Sequence, residues 1–394
     1  MSTDFAASMR QAGRLTRAAK LMEATRVIQN ALKQRLGWGV RPTMPFAAQD
    51  QSSPELFASP PLSVSVAPTA SVSIPILGIP QTTPVLARTG LPVFGLKKSN
   101  APAIPDGAAF LERSFTCSAG TRGYKLYVPA FMGAPPRGLI VMLHGCKQDP
   151  DDFAAGTNMN AVAEAHGLLV AYPRQTASAN VASCWNWFDP RDQMRDSGEP
   201  AVIAGITRSL MSEFALDREQ VFVAGLSAGG AMAAVMAETY PDLYAAVGIH
   251  SGLAYQSAND AMSAFATMRG DFRSAGTANS DRALQVRTIV FQGSADHTVD
   301  PSNATRIVAA AGRHSTSARQ EDHGRSAGGR SYTRTIIDGI GGAPLIESWL
   351  IDGAGHAWSG GSASGSYTDP KGPDASAEMV RFFMASPVAP RRAA

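Results

Sequence analysis

The run Val221-Phe222-Val223-Ala224-Gly225-Leu226-Ser227-Ala228-Gly229-Gly230 decides the architecture. Its first four residues are uninterruptedly apolar, as expected of a strand covered on both faces. Ala231–Tyr240 behind it has helical composition and is closed by Pro241. Glycines two positions either side of Ser227 let strand and helix approach closely, which puts the serine on a tight, strained turn. A Gly-x-Ser-x-Gly string alone says little in a chain with 37 glycines. The strand before it and the helix after it give it weight.

The same rhythm extends in both directions. Tyr124–Val128 alternates like a half-buried strand, whereas Gly138–Leu143 and Leu168–Tyr172 are continuous apolar runs. Further runs follow at Tyr244–Ile249, Thr288–Phe291 and Glu347–Ile351, with helical patterns near 152–166, 201–215, 228–240, 301–312 and 374–385. Strands alternating with helices predict an α/β fold, a doubly wound, mostly parallel sheet covered on both sides. Functional residues then belong in loops after the carboxyl ends of strands.

A serine hydroxyl is a poor nucleophile unless an oriented base stands beside it. On such a sheet the acid and then the histidine follow the serine in chain order, each after a strand. Asp296 stands directly after the apolar run Thr288–Phe291, and His356 stands in a glycine-bounded loop after Glu347–Ile351. Asp300 is the competing acid but lies further from the strand end, and Asp352 reads as a turn former. Of the seven histidines, His144 and His250 follow other strands, and His166 lies on a helix. His297, His314 and His323 sit in polar, loop-like stretches. The expected catalytic set is therefore Ser227, Asp296 and His356.

Acyl transfer also requires donors for a developing oxyanion. The N–H of Ala228 is one. The second is expected from the loop Leu143-His144-Gly145-Cys146-Lys147-Gln148, at the N–H of Cys146, with His144 supporting the turn. The segment Ser183-Cys184-Trp185-Asn186-Trp187-Phe188 is strongly aromatic. It reads as a core plug or, with Trp358, as an apolar substrate wall built from Trp185, Trp187 and Trp358.

Composition bounds the remaining options. The 394 residues carry a formal charge of +3, and only 17% are charged against roughly 25% in an average soluble chain. Residues 1–40 hold seven basic and two acidic side chains, so they carry +5 and the other 354 residues sum to −2. With no basic stripe outside the arm, no nucleic-acid partner is expected. The arm reads as a basic amphipathic helix, docked on the protein or applied to a polymer, granule or membrane surface. No apolar run approaches the ~18 residues of a membrane span. No roughly 7–15-residue apolar stretch with a cleavage site marks a secretory signal, which points to the cytoplasm or an unconventional exit. Residues 41–105 hold twelve of the 26 prolines and read as a low-order linker. A catalytic domain over 106–386 and a short tail over 387–394 complete the organisation.

Taken together, Leu143-His144-Gly145-Cys146 with Gln148, Cys184-Trp185-Asn186-Trp187, Gly225–Gly230, Gln292-Gly293-Ser294-Ala295-Asp296 and Gly355-His356 resemble esterases of the polyhydroxybutyrate depolymerase family, relatives of feruloyl and acetylxylan esterases. The resemblance spans about residues 113–385. It implies an α/β-hydrolase domain that cleaves short-chain 3-hydroxyalkanoate esters through an acyl-enzyme, with no metal and no cofactor. It implies further that Cys146 and Cys184 form a disulfide, leaving Cys117 as a reduced, buried thiol. An extracellular setting also follows from it, against the reading of the N-terminus. No separate polymer-binding domain is read, which favours soluble oligomers or small esters as substrates. The alternatives are a feruloyl- or acetylxylan-type carboxylesterase and, in another class, a non-catalytic polymer-granule or surface-binding protein.

Overall fold

The computed structural model describes residues 102, 104–130, 134–272, 286–313, 315–339 and 343–385. The expected helix over 1–40, nearly all of the Pro-rich segment over 41–105 and the tail over 387–394 lie outside these residues. In chain order the strands are β1 (Ala109–Cys117), β2 (Gly120–Val128), β3 (Gly138–Leu143), β4 (Leu168–Pro173), β5 (Val221–Leu226), β6 (Ala246–His250), β7 (Arg287–Gly293), β8 (Arg319–Arg325), β9 (Ser331–Asp338), β10 (Pro344–Ile351), β11 (Trp358–Ser359) and β12 (Thr368–Asp369). The helices are α1 (Pro150–Thr157), α2 (Met159–His166), α3 (Gly198–Phe214), α4 (Ala228–Thr239), α5 (Ala261–Met268), α6 (Ser302–Ala311) and α7 (Ala375–Met384).

Ten strands form one sheet in the order β1-β2-β4-β3-β5-β6-β7-β10-β9-β8. From β4 to β10 every neighbouring pair is parallel, whereas β1, β2, β8 and β9 join antiparallel at the two margins. The central strands β4, β3, β5 and β6 are fully buried and β7 nearly so, and their side chains alternate between two apolar layers. Val221 and Val223 of β5 face one layer with Val202, Ile206, Met232 and Val235 of α3 and α4. Phe222 and Ala224 face the other with Phe153, Met159, Met379 and Phe382 of α1, α2 and α7. Each fully buried aliphatic or Phe side chain contributes roughly 1.5–3 kcal/mol, so this central slab fixes the strand register. The sheet is the α/β-hydrolase arrangement.

Several elements depart from the sequence expectations, among them β9, β11, β12 and α5, which the sequence did not mark. The helical pattern over 152–166 is two helices, because Asn158 adopts φ 54° and ends α1 before α2 begins. Asn tolerates that left-handed conformation better than most residues. β1 extends the sheet beyond β2 with an amphipathic sequence. β8, Arg-Gln-Glu-Asp-His-Gly-Arg, has no apolar residue to reveal it, and its residues are mostly exposed. Its pairing with β9 holds it, supported by Gln320 donating to Asp338 (2.9 Å) and by a 3.0 Å contact between His323 and Thr333. His323 is thus on a strand, not in a loop; His314 lies outside the described residues.

Candidate active site

Ser227 sits between the end of β5 and the first residue of α4, with φ 59° and ψ −120°. Such a backbone is costly for a residue with a side chain and persists only where the surroundings enforce it. Here enforcement comes from crowding: a Cβ at Gly229 would lie 1.9 Å from the Leu143 carbonyl oxygen, and one at Gly225 would lie 2.4 Å from the Gly229 backbone. Both glycines are therefore required by the close passage of β3, β5 and α4. The Ser227 N–H donates to the His250 carbonyl at 2.9 Å, pinning the turn to the end of β6. Ser227 itself remains partly accessible.

Asp296 follows β7, and His356 follows β10, the parallel neighbour of β7. Their side chains meet: His356 Nδ1 lies 2.8 Å from Asp296 Oδ2. Asp296 Oδ1 accepts from the N–H groups of Thr298 and Val299, both at 2.9 Å, and Oδ2 accepts from Gln292 at 3.2 Å. Burial of this carboxyl opposes its ionisation, but the His356 hydrogen bond and charge and the two backbone donors outweigh it, holding the pKa below the ordinary carboxylate value. Asp300, the competing acid, instead accepts from the Ser302 N–H at the start of α6. Asp352 is exposed in the turn after β10.

The loop after β3 lies on the other side of Ser227. Gly145 is close enough that a Cβ there would sit 3.6 Å from the Ser227 Cβ. Ala228 opens α4, so its N–H has no intrahelical acceptor. Among the described residues the Cys146 N–H has none either. Cys146 and Cys184 are joined by a disulfide, and Lys147 N–H donates to Ala182 at 2.8 Å. Gln148 accepts from the Gly145 N–H at 2.9 Å and donates to Asp152 at 3.0 Å. His144 is buried, with Nδ1 2.8 Å from the Gly145 carbonyl and Nε2 accepting from the Gln175 N–H at 3.1 Å. That pattern requires the neutral ring, and burial lowers its pKa to about 4. His144 thus braces the turn.

Behind the disulfide lies a buried carboxyl that the sequence did not reveal. Glu199 accepts from the Asn186 N–H (2.7 Å), the Asn186 side chain (2.8 Å) and Gln175. Burial, with Asp192 nearby, raises its pKa to about 7 against the pull of those donors. It ties the aromatic segment, through Asn186, to Gln175, whose N–H donates to His144 in the turn after β3.

The expected apolar wall is not found. Trp185 is 0% and Trp358 1% exposed, and Trp187 is only 6% exposed. The Trp185 indole N–H donates to the His144 carbonyl at 3.1 Å, directly supporting the turn. Trp358 packs edge-on to Phe153 and donates to Ser376. The Trp185 and Trp358 indoles satisfy internal carbonyl and hydroxyl acceptors and Trp187 is buried, so the core-plug alternative describes them. Phe188, partly exposed and packed edge-on to Trp187, is the aromatic side chain of that segment nearest the surface. Cys117 is a free thiol on β1, half-buried and not fully so.

The family model of the esterase PHB depolymerases matches residues 122–327, more than half of the chain. The chain belongs to that family. Among curated esterase-family relatives, it is 31% identical to the poly(3-hydroxyalkanoate) depolymerase C of Paucimonas lemoignei over 239 residues, which cover 58% of this chain and 57% of that protein. It is 35% identical to the poly(3-hydroxybutyrate) depolymerase of Ralstonia pickettii, over 33% of this chain and 28% of the relative. A probable acetylxylan esterase A of Aspergillus clavatus is 29% identical, over 46% and 62%. The chain thus matches between about a quarter and two thirds of these relatives' lengths. The solved acetyl xylan esterase from Aspergillus awamori superposes with a TM-score of 0.52 at 23% identity, covering 62% of this chain and 94% of that one. This likeness shows the shared α/β-hydrolase fold. In this PHB depolymerase family member the Cys146–Cys184 pairing is present.

Proposed function

We propose that this protein is a serine esterase that hydrolyses short-chain 3-hydroxyalkanoate esters or soluble oligomers through an acyl-enzyme. The observation that carries the proposal is the Asp296–His356 pair at 2.8 Å, built after two strands of the slab that also ends in the strained Ser227 turn. With Nδ1 committed to Asp296, His356 has Nε2 left to take the Ser227 proton. Ser227 Oγ attacks the ester carbonyl, and the N–H groups of Cys146 and Ala228 hold the oxyanion. Asp296, ionised at neutral pH, stabilises the imidazolium. Collapse expels the alcohol, which takes the proton from His356. Water, deprotonated by the same base, then releases the 3-hydroxy acid and regenerates Ser227.

Membership of the esterase PHB depolymerase family supports the substrate class. Acetylxylan and feruloyl esterase relatives support a second reading within the same chemistry. Comparing 3-hydroxybutyrate oligomers with methyl ferulate and acetylated xylan separates the two. A surface-binding role for residues 1–40 belongs to the proposal as well, tested by polymer binding with and without them. The central test is Ser227→Ala, expected to lower turnover of short-chain p-nitrophenyl esters at least ~10³-fold. Near-wild-type activity of this variant removes Ser227 as the nucleophile, whereas a native protein that neither turns over esters nor is labelled by a fluorophosphonate favours the non-catalytic binding role.

A further inference from the structure

His250 is the second fully buried histidine near the site, and the mechanism above gives its side chain no part. It ends β6, opposite Leu226 of β5 and Phe291 of β7. Its main-chain carbonyl accepts the Ser227 N–H at 2.9 Å. Its ring lies between two aromatic planes, 5.7 Å and 14° from Phe291 and 5.1 Å and 25° from Trp358. With both faces covered, only the edges are free to bond. Nε2 accepts from the Ser359 N–H at 2.9 Å, and Nδ1 lies 3.2 Å from Ser251 Oγ. Ser359 is three residues past His356 and is itself buried.

The tautomer follows from these partners. A backbone N–H can only donate, so Nε2 carries a lone pair and the single proton resides on Nδ1, facing Ser251. Protonation would turn Nε2 into a donor aimed at another donor. Burial first, and the neighbouring His356 charge second, lower the ring's pKa to about 3, so it stays neutral throughout the working range.

Resting on the triad reading above, we propose that His250 is a positioning residue for the reaction. Its ring clamps the loop that carries His356, while its carbonyl fixes the turn that carries Ser227, so one residue sets the spacing between nucleophile and base. The clamp grips the loop at Ser359, three residues past His356, whereas Asp296 holds the His356 ring itself. Trp358, locked by its hydrogen bond to Ser376 and the Ser376 bond to the Thr157 carbonyl, gives the ring a rigid wall to press against.

The test uses two amides of different reach in the full-length protein. In His250→Gln the side-chain oxygen reaches the place of Nε2 and can accept from Ser359; in His250→Asn it cannot. The Asn variant is expected to lose about 30–100-fold in kcat, with KM within threefold, because sub-ångström misplacement of a base is costly. Its acid limb in kcat/KM should move to lower pH, since a His356 held less squarely on Asp296 keeps its proton less tightly. The Gln variant should recover most of both effects. Turnover is expressed per site titrated with a fluorophosphonate, so loss of folded protein does not register. Should the Asn variant not fold, His250→Phe, which keeps the stacking and lacks the acceptor, takes its place with the same expectation. A variant lacking the acceptor that keeps kcat per titrated site within twofold, or whose acid limb stays in place, overturns the inference. So does a Gln variant no better than Asn. These outcomes leave the triad reading standing, because that reading is tested separately by Ser227→Ala, by Asp296→Asn and by labelling of the native protein.

Discussion

The two sides of the Ser227 turn are held by different physical means. On the oxyanion side, the Cys146 turn is tied by a disulfide, by backbone hydrogen bonds and by the buried Glu199 carboxyl. On the base side, no covalent link exists among the described residues: His356 is held by Asp296, and its loop by a neutral ring stacked between Phe291 and Trp358. The oxyanion side comes from irregular loops after β3 and β4, which have no ladder of their own to fix them. The base side comes from short connections after adjacent parallel strands, where the sheet already supplies most of the order. The contrast teaches that cross-linking is found where regular structure ends.

The largest expected effect strikes the base side. Asp296→Asn can satisfy the Thr298 and Val299 donors with its oxygen, which turns its amide N–H toward His356 Nδ1. That forces the ring proton onto Nε2, where it blocks abstraction from Ser227. A loss of about 10⁴-fold in kcat at neutral pH is expected, measured with p-nitrophenyl butyrate alongside a thermal melt. A loss under tenfold would show that Asp296 is not the orienting acid. Next comes the oxyanion side. Cys184→Ser opens a loop of sequence separation 38 and should cost about 4 kcal/mol of stability. With the turn loosened, kcat should fall roughly 10- to 100-fold while KM changes little; an unchanged kcat in the folded fraction would separate the disulfide from oxyanion geometry.

The smallest effect sharpens the comparison through pH. The folded-state pKa of Glu199 is raised, to about 7 from an ordinary value of 4.5, so its protonated form is the one the fold prefers. Its contribution is fully present below about pH 4.5 and is lost as pH rises toward 7, by up to about 3 kcal/mol at roughly 1.4 kcal/mol per unit. Glu199→Gln should therefore flatten this part of the stability curve between pH 4.5 and 7, read from urea midpoints. A slope identical to that of the wild type would remove Glu199 from the oxyanion-side clamp. Asp296 has the opposite sign: its lowered pKa contributes stability above the unfolded value near 3.8 that is lost as pH falls.

Legibility followed the same division. Strands buried on both faces are continuous apolar runs, so β3, β4, β5 and β7 were readable to within a few residues, and with them the places of Ser227, Asp296 and His356. The margins were not readable: β8 draws nothing from apolar burial, and its existence depends on β9 being there to pair with it. The aromatic segment was readable as a core plug or a substrate wall but not as which of the two, because an indole with an internal acceptor has the same sequence as one facing a substrate. Glu199 and His250 gave no signal at all. A lone Glu early in a helix and a lone His at a strand end become distinctive only when unrelated segments supply their partners.

What the sequence determined by itself was local: the periodicity of the parallel strands, and the glycines without which the Ser227 turn could not form between β3, β5 and α4. It also carried the order of Ser227, Asp296 and His356 along the chain. The tertiary structure alone decided which face each tryptophan presents, that Asp296 and not Asp300 meets His356, and that His250 joins the two loops. The reason is physical. Backbone conformation and burial period are set by near neighbours in the chain, whereas hydrogen-bond partners separated by 60 to 109 residues exist only once the sheet has brought the strand ends together.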